Sequence, residues 1–280
     1  MNIIYEILDK LFPFSWMGYD FMKNAFLAII IITPLFGMLG TMIVNNNMAF
    51  FSDALGHSAL TGIAIGVVCG IADTNISMVV FAIIFALLLN TIKERKTAST
   101  DTIISVFSSL STAIGLVILS MGGNFSKYSS LLVGDVLSIA PKEIVMLLGV
   151  FILTIIFWET CFNRLICVSM NESLAASRHI NVRLINNLFA VLIALIVMLS
   201  IKWVGILIIN ALLILPAASS RNIAGNMREY TLFSILISLF SGIVGLIVSF
   251  SLNTATGPTI VIISAIIFFM TLIAKGVVKG

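Results

Sequence analysis

Asp53 and His57 are the two residues of this chain whose types and spacing are best suited to chemistry. They lie four residues apart in a largely apolar segment, residues 51–66. On an α-helix, positions i and i+4 share one face, so both side chains point the same way. A carboxylate and an imidazole are a common ligand pair for a divalent transition metal. An ionisable residue in hydrocarbon is costly and usually faces a pore, a partner or a substrate.

Two interpretations of this pair remain open at the level of sequence. In the first, Asp53 and His57 form a buried ion pair that locks helix packing. In the second, they are metal ligands on a translocation path. Two ligands are too few for a closed structural zinc site, which takes about four, whereas a pathway needs incomplete ligation so that the ion can leave. A homodimer would bring two such pairs to a central pathway if their helix faces the symmetry axis.

The composition predicts a protein that crosses a membrane several times. Of the 280 residues, 60% are hydrophobic and 10% are charged, and the mean hydropathy is +1.18. Each spanning helix needs about 20 mostly apolar residues. The net charge of +3 is small and its basic residues fall in loops, so nucleic acid is not a predicted partner. We therefore predict an all-α, polytopic integral membrane protein with about eight or nine transmembrane helices, forming one transmembrane domain over residues 1–280.

Apolar runs separated by polar loops set the predicted spans. Two of the runs are short, which keeps eight spans open as an alternative to nine. The predicted spans are residues 24–44, 50–70, 76–92, 102–121, 144–160, 187–201, 204–219, 231–251 and 259–275.

Basic residues in the loops predict which side of the membrane each loop occupies. Residues 93–96, Lys-Glu-Arg-Lys, form the strongest anchor, and the positive-inside rule places them in the cytoplasm. Counting outward from them, the loop before Asp53 is cytoplasmic and the N-terminus lies outside. The first 20 residues alternate between polar and apolar types, which suits an interfacial amphipathic helix.

The longest polar stretch on the predicted cytoplasmic side covers about residues 169–187. Asn171 or Ser173 could cap a short, alanine-rich helix within it. Such a helix, with Ala175 and Ser177 accessible, would offer a coupling element to a motor subunit. An ordinary connecting loop is the alternative.

Two further acidic residues are predicted to serve the backbone. Asp101 is the predicted N-cap of the following span. Asp135, between a glycine and Pro141, is predicted to cap a helix, and shaping the outer mouth or docking a partner is the alternative. The sequence contains no phosphate-binding Gly-x-x-x-x-Gly-Lys-Ser/Thr loop and no hydrolase motif. We therefore expect a transporter subunit rather than an enzyme, with ATP hydrolysis by a separate subunit if ATP drives it.

Residues 48–66, Met-Ala-Phe-Phe-Ser-Asp-Ala-Leu-Gly-His-Ser-Ala-Leu-Thr-Gly-Ile-Ala-Ile-Gly, resemble the most recognisable motif of the bacterial zinc/manganese/iron ABC-importer permeases. Three further segments resemble that family in the same order, namely residues 134–141, 202–218 and 253–258. The chain departs from the family where Asn46 and Asn47 replace a basic pair. It also carries Ser109 where some zinc members have a histidine.

The resemblance implies a permease of an ATP-driven importer for a divalent transition metal, in the bacterial cytoplasmic membrane. It also implies three protein partners, which are a cytoplasmic ATPase, an extracytoplasmic metal-binding protein and a second permease copy. Asp53 and His57 correspond to the family's metal-contacting residues. Zinc is the favoured cargo, manganese and ferrous iron stay open, and no permanently bound cofactor is expected.

Other functions compete with this one. A permease of the vitamin-B12 and iron-siderophore importers carries a bulky chelate and needs no intramembrane Asp–His pair. A proton-driven secondary metal transporter needs more than one intramembrane acid for coupling, and only Asp53 is convincing here. A membrane enzyme has the least support, because one Asp–His pair without a nucleophile is a thin basis for catalysis.

Overall fold

The computed structural model describes residues 5–6, 15–71, 73–94, 99–121 and 128–279. Helices joined by short turns make up these ranges, and no β-strand occurs within them. The α-helices are, in chain order, α1 (Asp20–Asn45), α2 (Ala49–Val68), α3 (Thr74–Glu94), α4 (Thr100–Met121), α5 (Pro141–Met170), α6 (Glu172–Ser177), α7 (Val182–Val204), α8 (Ile206–Ile223), α9 (Met227–Leu252) and α10 (Thr256–Lys279).

The predicted all-α, polytopic membrane fold is confirmed. Within the described residues, eight helices are long and apolar enough to cross a bilayer, and α8 is a shorter apolar helix. Each predicted span matches one helix to within a few residues, except that α5 is much longer than predicted. The agreement follows from bilayer thickness, because about 20 apolar residues in a row have few other stable positions.

Helix ends differ from the predictions at three places. Helix α5 has 30 residues and continues to Met170, well past the predicted end at 160. A single residue, Gly205, separates α7 from α8, and its φ of 93° lies in a region that favours glycine. Helix α8 contains Pro216 and continues to Ile223, past the predicted span end at 219.

Two sequence predictions fall largely outside the described residues. The amphipathic N-terminal segment of about residues 1–20 includes residues 1–4 and 7–14, which the structure does not describe. The basic anchor at residues 93–96 includes 95 and 96, which it also does not describe. Both remain predictions.

One compact unit contains residues 1–41, 134–153 and 211–280. In it, a hydroxyl from α9 meets the backbone of α1, where Ser234 donates to the carbonyl oxygen of Gly37 at 2.7 Å. A Cβ on Gly37 would lie 2.8 Å from the Cα of Ile235. Gly245 approaches Ile260 of α10 equally closely. Small residues allow this close contact, which drives helix association in lipid.

The other unit contains residues 42–133 and 154–210, and α2 lies at its centre. Helix α2 packs against α3, α4 and α7, and most of its side chains are buried. Gly62 faces α3, where an added Cβ would lie 2.9 Å from the Cα of Met78. Asn90 of α3 donates an amide hydrogen bond to Asn187 of α7. This unit carries both residues of the predicted site.

Candidate functional site

A partly open groove of about 640 Å³ lies between α2 and α4. Asp53 and His57 line one wall together with Phe50. These three residues follow a spacing of three and four, so they form one stripe on α2. The predicted pair therefore sits on the wall of a cavity.

The two ionisable groups are close but not tightly paired. His57 Nε2 lies 3.8 Å from Asp53 Oδ1, and the side chains are 30% and 39% exposed, respectively. Both side chains are oriented into the groove and keep access to water or an ion. The ion-pair and metal-ligand interpretations of Asp53 and His57 both remain predictions.

The α4 wall of the groove carries an unusual number of polar side chains for a membrane helix. One acid and four hydroxyl residues recur at helical spacing on it, namely Asp101, Ser105, Ser108, Ser109 and Thr112. Hydroxyl oxygens are weak acceptors that can solvate a cation without holding it tightly. Ser109, which the resemblance singled out, lies in this stripe.

Close packing of α2 on α4 sets the position of this wall. An added Cβ on Gly115 would lie 2.7 Å from the backbone nitrogen of Thr61. Ser111 Oγ donates to Thr61 Oγ1 at 3.0 Å, and Thr61 Oγ1 donates to the carbonyl oxygen of Ser111. Both side chains are buried. The contact fixes the register of the two helices and hence the alignment of the groove walls.

A hydrogen bond also holds the first turn of α2, next to Asp53. Ser52 is fully buried and donates from Oγ to Asn210 Oδ1 at 2.5 Å. Asn210 belongs to the first part of α8, in the same compact unit. This contact limits rotation of α2 and so keeps Asp53 directed into the groove.

Asp101 does not have the role predicted for it. Helix α4 begins at Thr100, and Ser99 takes the capping position, with its Oγ accepting from the backbone nitrogen of Thr102 at 3.2 Å. Asp101 is in the first turn and lines the groove. The N-cap prediction is therefore wrong, because a serine two residues earlier already satisfies the free backbone group.

The site in one chain is incomplete as a metal centre. Across the described ranges, no three histidine, cysteine, aspartate or glutamate residues come close enough together to hold a metal ion. Asp101 shares the cavity with Asp53 and His57 but does not complete such a group. One chain thus brings together a carboxylate–imidazole pair and a hydroxyl-rich surface.

Sequence reasoning missed the hydroxyl stripe of α4. The signal was present, since positions 101, 105, 108, 109 and 112 follow the three-to-four spacing of one helix face. Serine and threonine are common in membrane helices for packing reasons, so the spacing alone did not separate a groove wall from an ordinary helix contact.

The predicted coupling segment contains the short helix α6. Its N-cap is Asn171, whose Oδ1 accepts from the backbone nitrogens of Ser173 and Leu174 at 2.9 and 3.1 Å. This confirms a capped helix rather than an ordinary loop. His179, with a φ of 57°, ends the helix in the left-handed conformation common at helix C-termini. Ala175 is fully buried, so the expectation that it would be accessible is wrong.

Asp135 belongs to the unit that contains α9. Its Oδ1 accepts from the backbone nitrogen of Leu137 at 3.0 Å, which caps the short turn Val136–Ser138. The predicted capping role is confirmed.

Comparisons with known proteins agree over nearly the whole chain. A model of the ABC 3 transport family matches residues 18–275. The chain is 31% identical over 262 residues to the high-affinity zinc uptake system membrane protein ZnuB of Haemophilus influenzae, covering 92% of this chain and 98% of that protein. It is 28% identical over 269 residues to the manganese import system permease protein ScaB of Streptococcus parasanguinis, covering 96% and 94%.

A solved structure that is similar to this chain in sequence and fold is PsaBC from Streptococcus pneumoniae in complex with Fab. The TM-score is 0.80 and the sequence identity is 25%. The match covers 97% of this chain and 95% of that chain.

Proposed function

Because the chain belongs to the ABC 3 transport family, we propose that it is the membrane-spanning permease of an ATP-driven importer for a divalent transition metal, with zinc as the favoured cargo. The protein is a multi-pass component of the cell membrane. Two of its relatives are named as a membrane protein of a zinc uptake system and a permease protein of a manganese import system. A free metal ion is therefore a better supported cargo than a bulky chelate.

The observation that carries this proposal is the groove between α2 and α4. In it, Asp53 and His57 share one wall and remain 39% and 30% exposed, opposite the hydroxyl stripe of α4. In the proposal, a metal ion binds briefly to the carboxylate and imidazole and then moves on. Incomplete ligation in one chain suits transport, because a closed set of four ligands would retain the ion.

In the proposal, a second copy of the chain covers the open side of this groove. The groove is open at the surface of one chain, and α4 is largely exposed, with 28% of its most apolar stretch buried. A wall that carries Asp101 and several hydroxyls is unfavourable against lipid. A second α4 facing it would exclude lipid and could bring a second Asp–His pair to the same pathway.

Two other partners complete the proposed importer. A cytoplasmic ATPase supplies the energy, and an extracytoplasmic binding protein delivers the metal. Zinc, manganese and ferrous iron all accept imidazole and carboxylate ligands, and geometry and metal availability rather than affinity decide among them. We place the main selection step in the binding protein, since the carboxylate and imidazole groups of the groove suit all three metals.

We expect uptake against a gradient to require the ATPase. Proteoliposomes that contain the permease, its ATPase and the metal-loaded binding protein should accumulate zinc when ATP is present. The matched preparation without ATPase should not, because the chain has no nucleotide-binding loop. Radioactive zinc uptake measures this, and excess manganese in the same assay reports which metal the complete system prefers. Accumulation driven by a proton gradient without the ATPase would contradict the proposal and favour a secondary transporter.

We expect the ATPase to contact the exposed side of α6. Ala176 and Ser177 are exposed, whereas Ala175 is buried. In a chain with Cys69 and Cys167 replaced by serine, single cysteines at positions 176 and 177 should crosslink to the ATPase. Ala175→Cys is the matched control and should remain unreactive. Gel shifts after mild oxidation or a short bifunctional reagent measure the result. Crosslinks only from cysteines placed within residues 93–101 would place the coupling contact elsewhere.

A further inference from the structure

A basic cavity lies beside the coupling helix, away from the groove between α2 and α4. Its volume is about 310 Å³, and its lining includes Arg164 of α5 together with Arg178 and His179 of the turn that follows α6. All three side chains are exposed. Within the described part of the chain, no carboxylate lines this cavity or pairs with either arginine. The cavity therefore presents concentrated positive charge without an internal partner.

A second groove lies next to this cavity along α7. It measures about 360 Å³, and its apolar lining is Leu87 of α3 with Leu184, Leu188 and Val191 of α7, beside the polar residues Asn181, Arg183 and Asn187. Asn181 and Leu184 line both spaces, so the apolar groove adjoins the basic cavity. Val191 lies nine residues into α7, which corresponds to a depth of about 13 Å along the helix.

The basic cavity and the apolar groove together are complementary to a phospholipid, which has an anionic head group and apolar acyl chains. Arginine guanidinium groups bind phosphate oxygens through paired, charge-assisted hydrogen bonds. Basic pockets between membrane helices on the cytoplasmic side recognise anionic lipid head groups. The apolar groove adjoins the basic cavity and extends along α7 toward the apolar middle of that helix, as an acyl chain must. An acidic side chain of a partner protein could pair with the arginines but would leave the apolar groove empty.

We propose that this surface binds one anionic phospholipid of the cytoplasmic leaflet. The phosphate sits between Arg164 and Arg178, and one acyl chain lies along Leu87, Leu188 and Val191. The lipid bridges α5, the turn after α6, and α7, which are the elements that hold the coupling helix. Lipid binding therefore stabilises the packing of these three elements against one another.

Native mass spectrometry of the full-length permease in detergent tests the proposal. With equal amounts of phosphatidylglycerol and phosphatidylcholine added, we expect preferential retention of phosphatidylglycerol. The double variant Arg164→Gln/Arg178→Gln should weaken retention by roughly 30-fold, from the loss of two arginine contacts. Arg228→Gln removes an exposed arginine elsewhere and should leave retention unchanged.

Two further variants separate the head group from the acyl chain. His179→Gly keeps the left-handed turn but removes the imidazole, so we expect a smaller loss than for the arginine pair. Leu188→Trp fills the apolar groove and leaves every charge in place, so it should also lower retention. Thermal unfolding of each variant without lipid should match that of the unchanged protein, since the replaced side chains are exposed.

Several results would overturn the proposal. Equal retention of both lipids, or unchanged retention by the arginine double variant, would exclude an anionic lipid site. Displacement of the lipid by millimolar inorganic phosphate would indicate a simple phosphate pocket without acyl-chain recognition. Loss of copurification with the ATPase, together with unchanged lipid retention, would assign the arginines to a protein contact.

Discussion

Asp53→Asn and His57→Ala are each expected to reduce metal uptake by roughly 10- to 100-fold or more, while the protein still inserts, assembles and binds its ATPase. Asparagine keeps the shape of aspartate but loses its charge, and alanine removes the imidazole ligand altogether. The pair is loosely spaced at 3.8 Å and partly exposed. An ion pair of this kind contributes about 1 kcal/mol or less to stability, so the fold should tolerate either change.

Uptake and stability are measured side by side on the same preparations. Radioactive zinc uptake by proteoliposomes gives the first quantity, and thermal unfolding in detergent gives the second. Asp73→Asn is the matched control, because it makes the same chemical change at an exposed residue outside the groove. Full uptake by well-folded His57→Ala would exclude a ligand role for His57. A loss of several kcal/mol in the free energy of unfolding of both variants would instead support a structural ion pair.

Gly115→Val is expected to have the largest effect on stability. A single added Cβ at this position would lie 2.7 Å from the backbone nitrogen of Thr61 and 2.8 Å from the carbonyl carbon of Leu60. These atoms are helix backbone and cannot rotate away, so α2 and α4 must separate. Overpacking of this type costs about 1–3 kcal/mol or more. It also breaks the hydrogen bonds between Thr61 and Ser111, so the groove walls would lose their alignment.

Gly149→Val is the matched control for this change. Gly149 also lies inside a membrane helix, but nothing occupies the space around an added Cβ. Replacing it should leave the midpoint of thermal unfolding unchanged or raise it slightly, since glycine is a poor helix former. We expect Gly115→Val to unfold at a much lower temperature and to lose uptake. Equal unfolding temperatures for the two variants would contradict the close packing of α2 on α4.

The sequence by itself determined the membrane helices and the best site candidates. Long apolar runs must become helices in a bilayer, because lipid offers no partners for free backbone groups. For this reason the predicted spans match helices even where the connecting turn is as short as Gly205. The placement of Asp53 and His57 on one face also followed from sequence, since a separation of four residues is a local property of a helix.

Only the tertiary structure decided which helix faces meet. The pairing of α2 with α4 depends on Gly115 and on hydrogen bonds between Thr61 and Ser111, which lie 50 residues apart. Contacts of this kind cannot be predicted from the residue spacing of either segment alone. The same pairing makes Asp101 and Ser109 part of a groove wall. Packing around α6 likewise buried Ala175, although its polar neighbours had predicted exposure. The spanning helices can be predicted from hydropathy because the bilayer acts on each segment separately. The site, in contrast, depends on close contacts between segments that are distant in sequence.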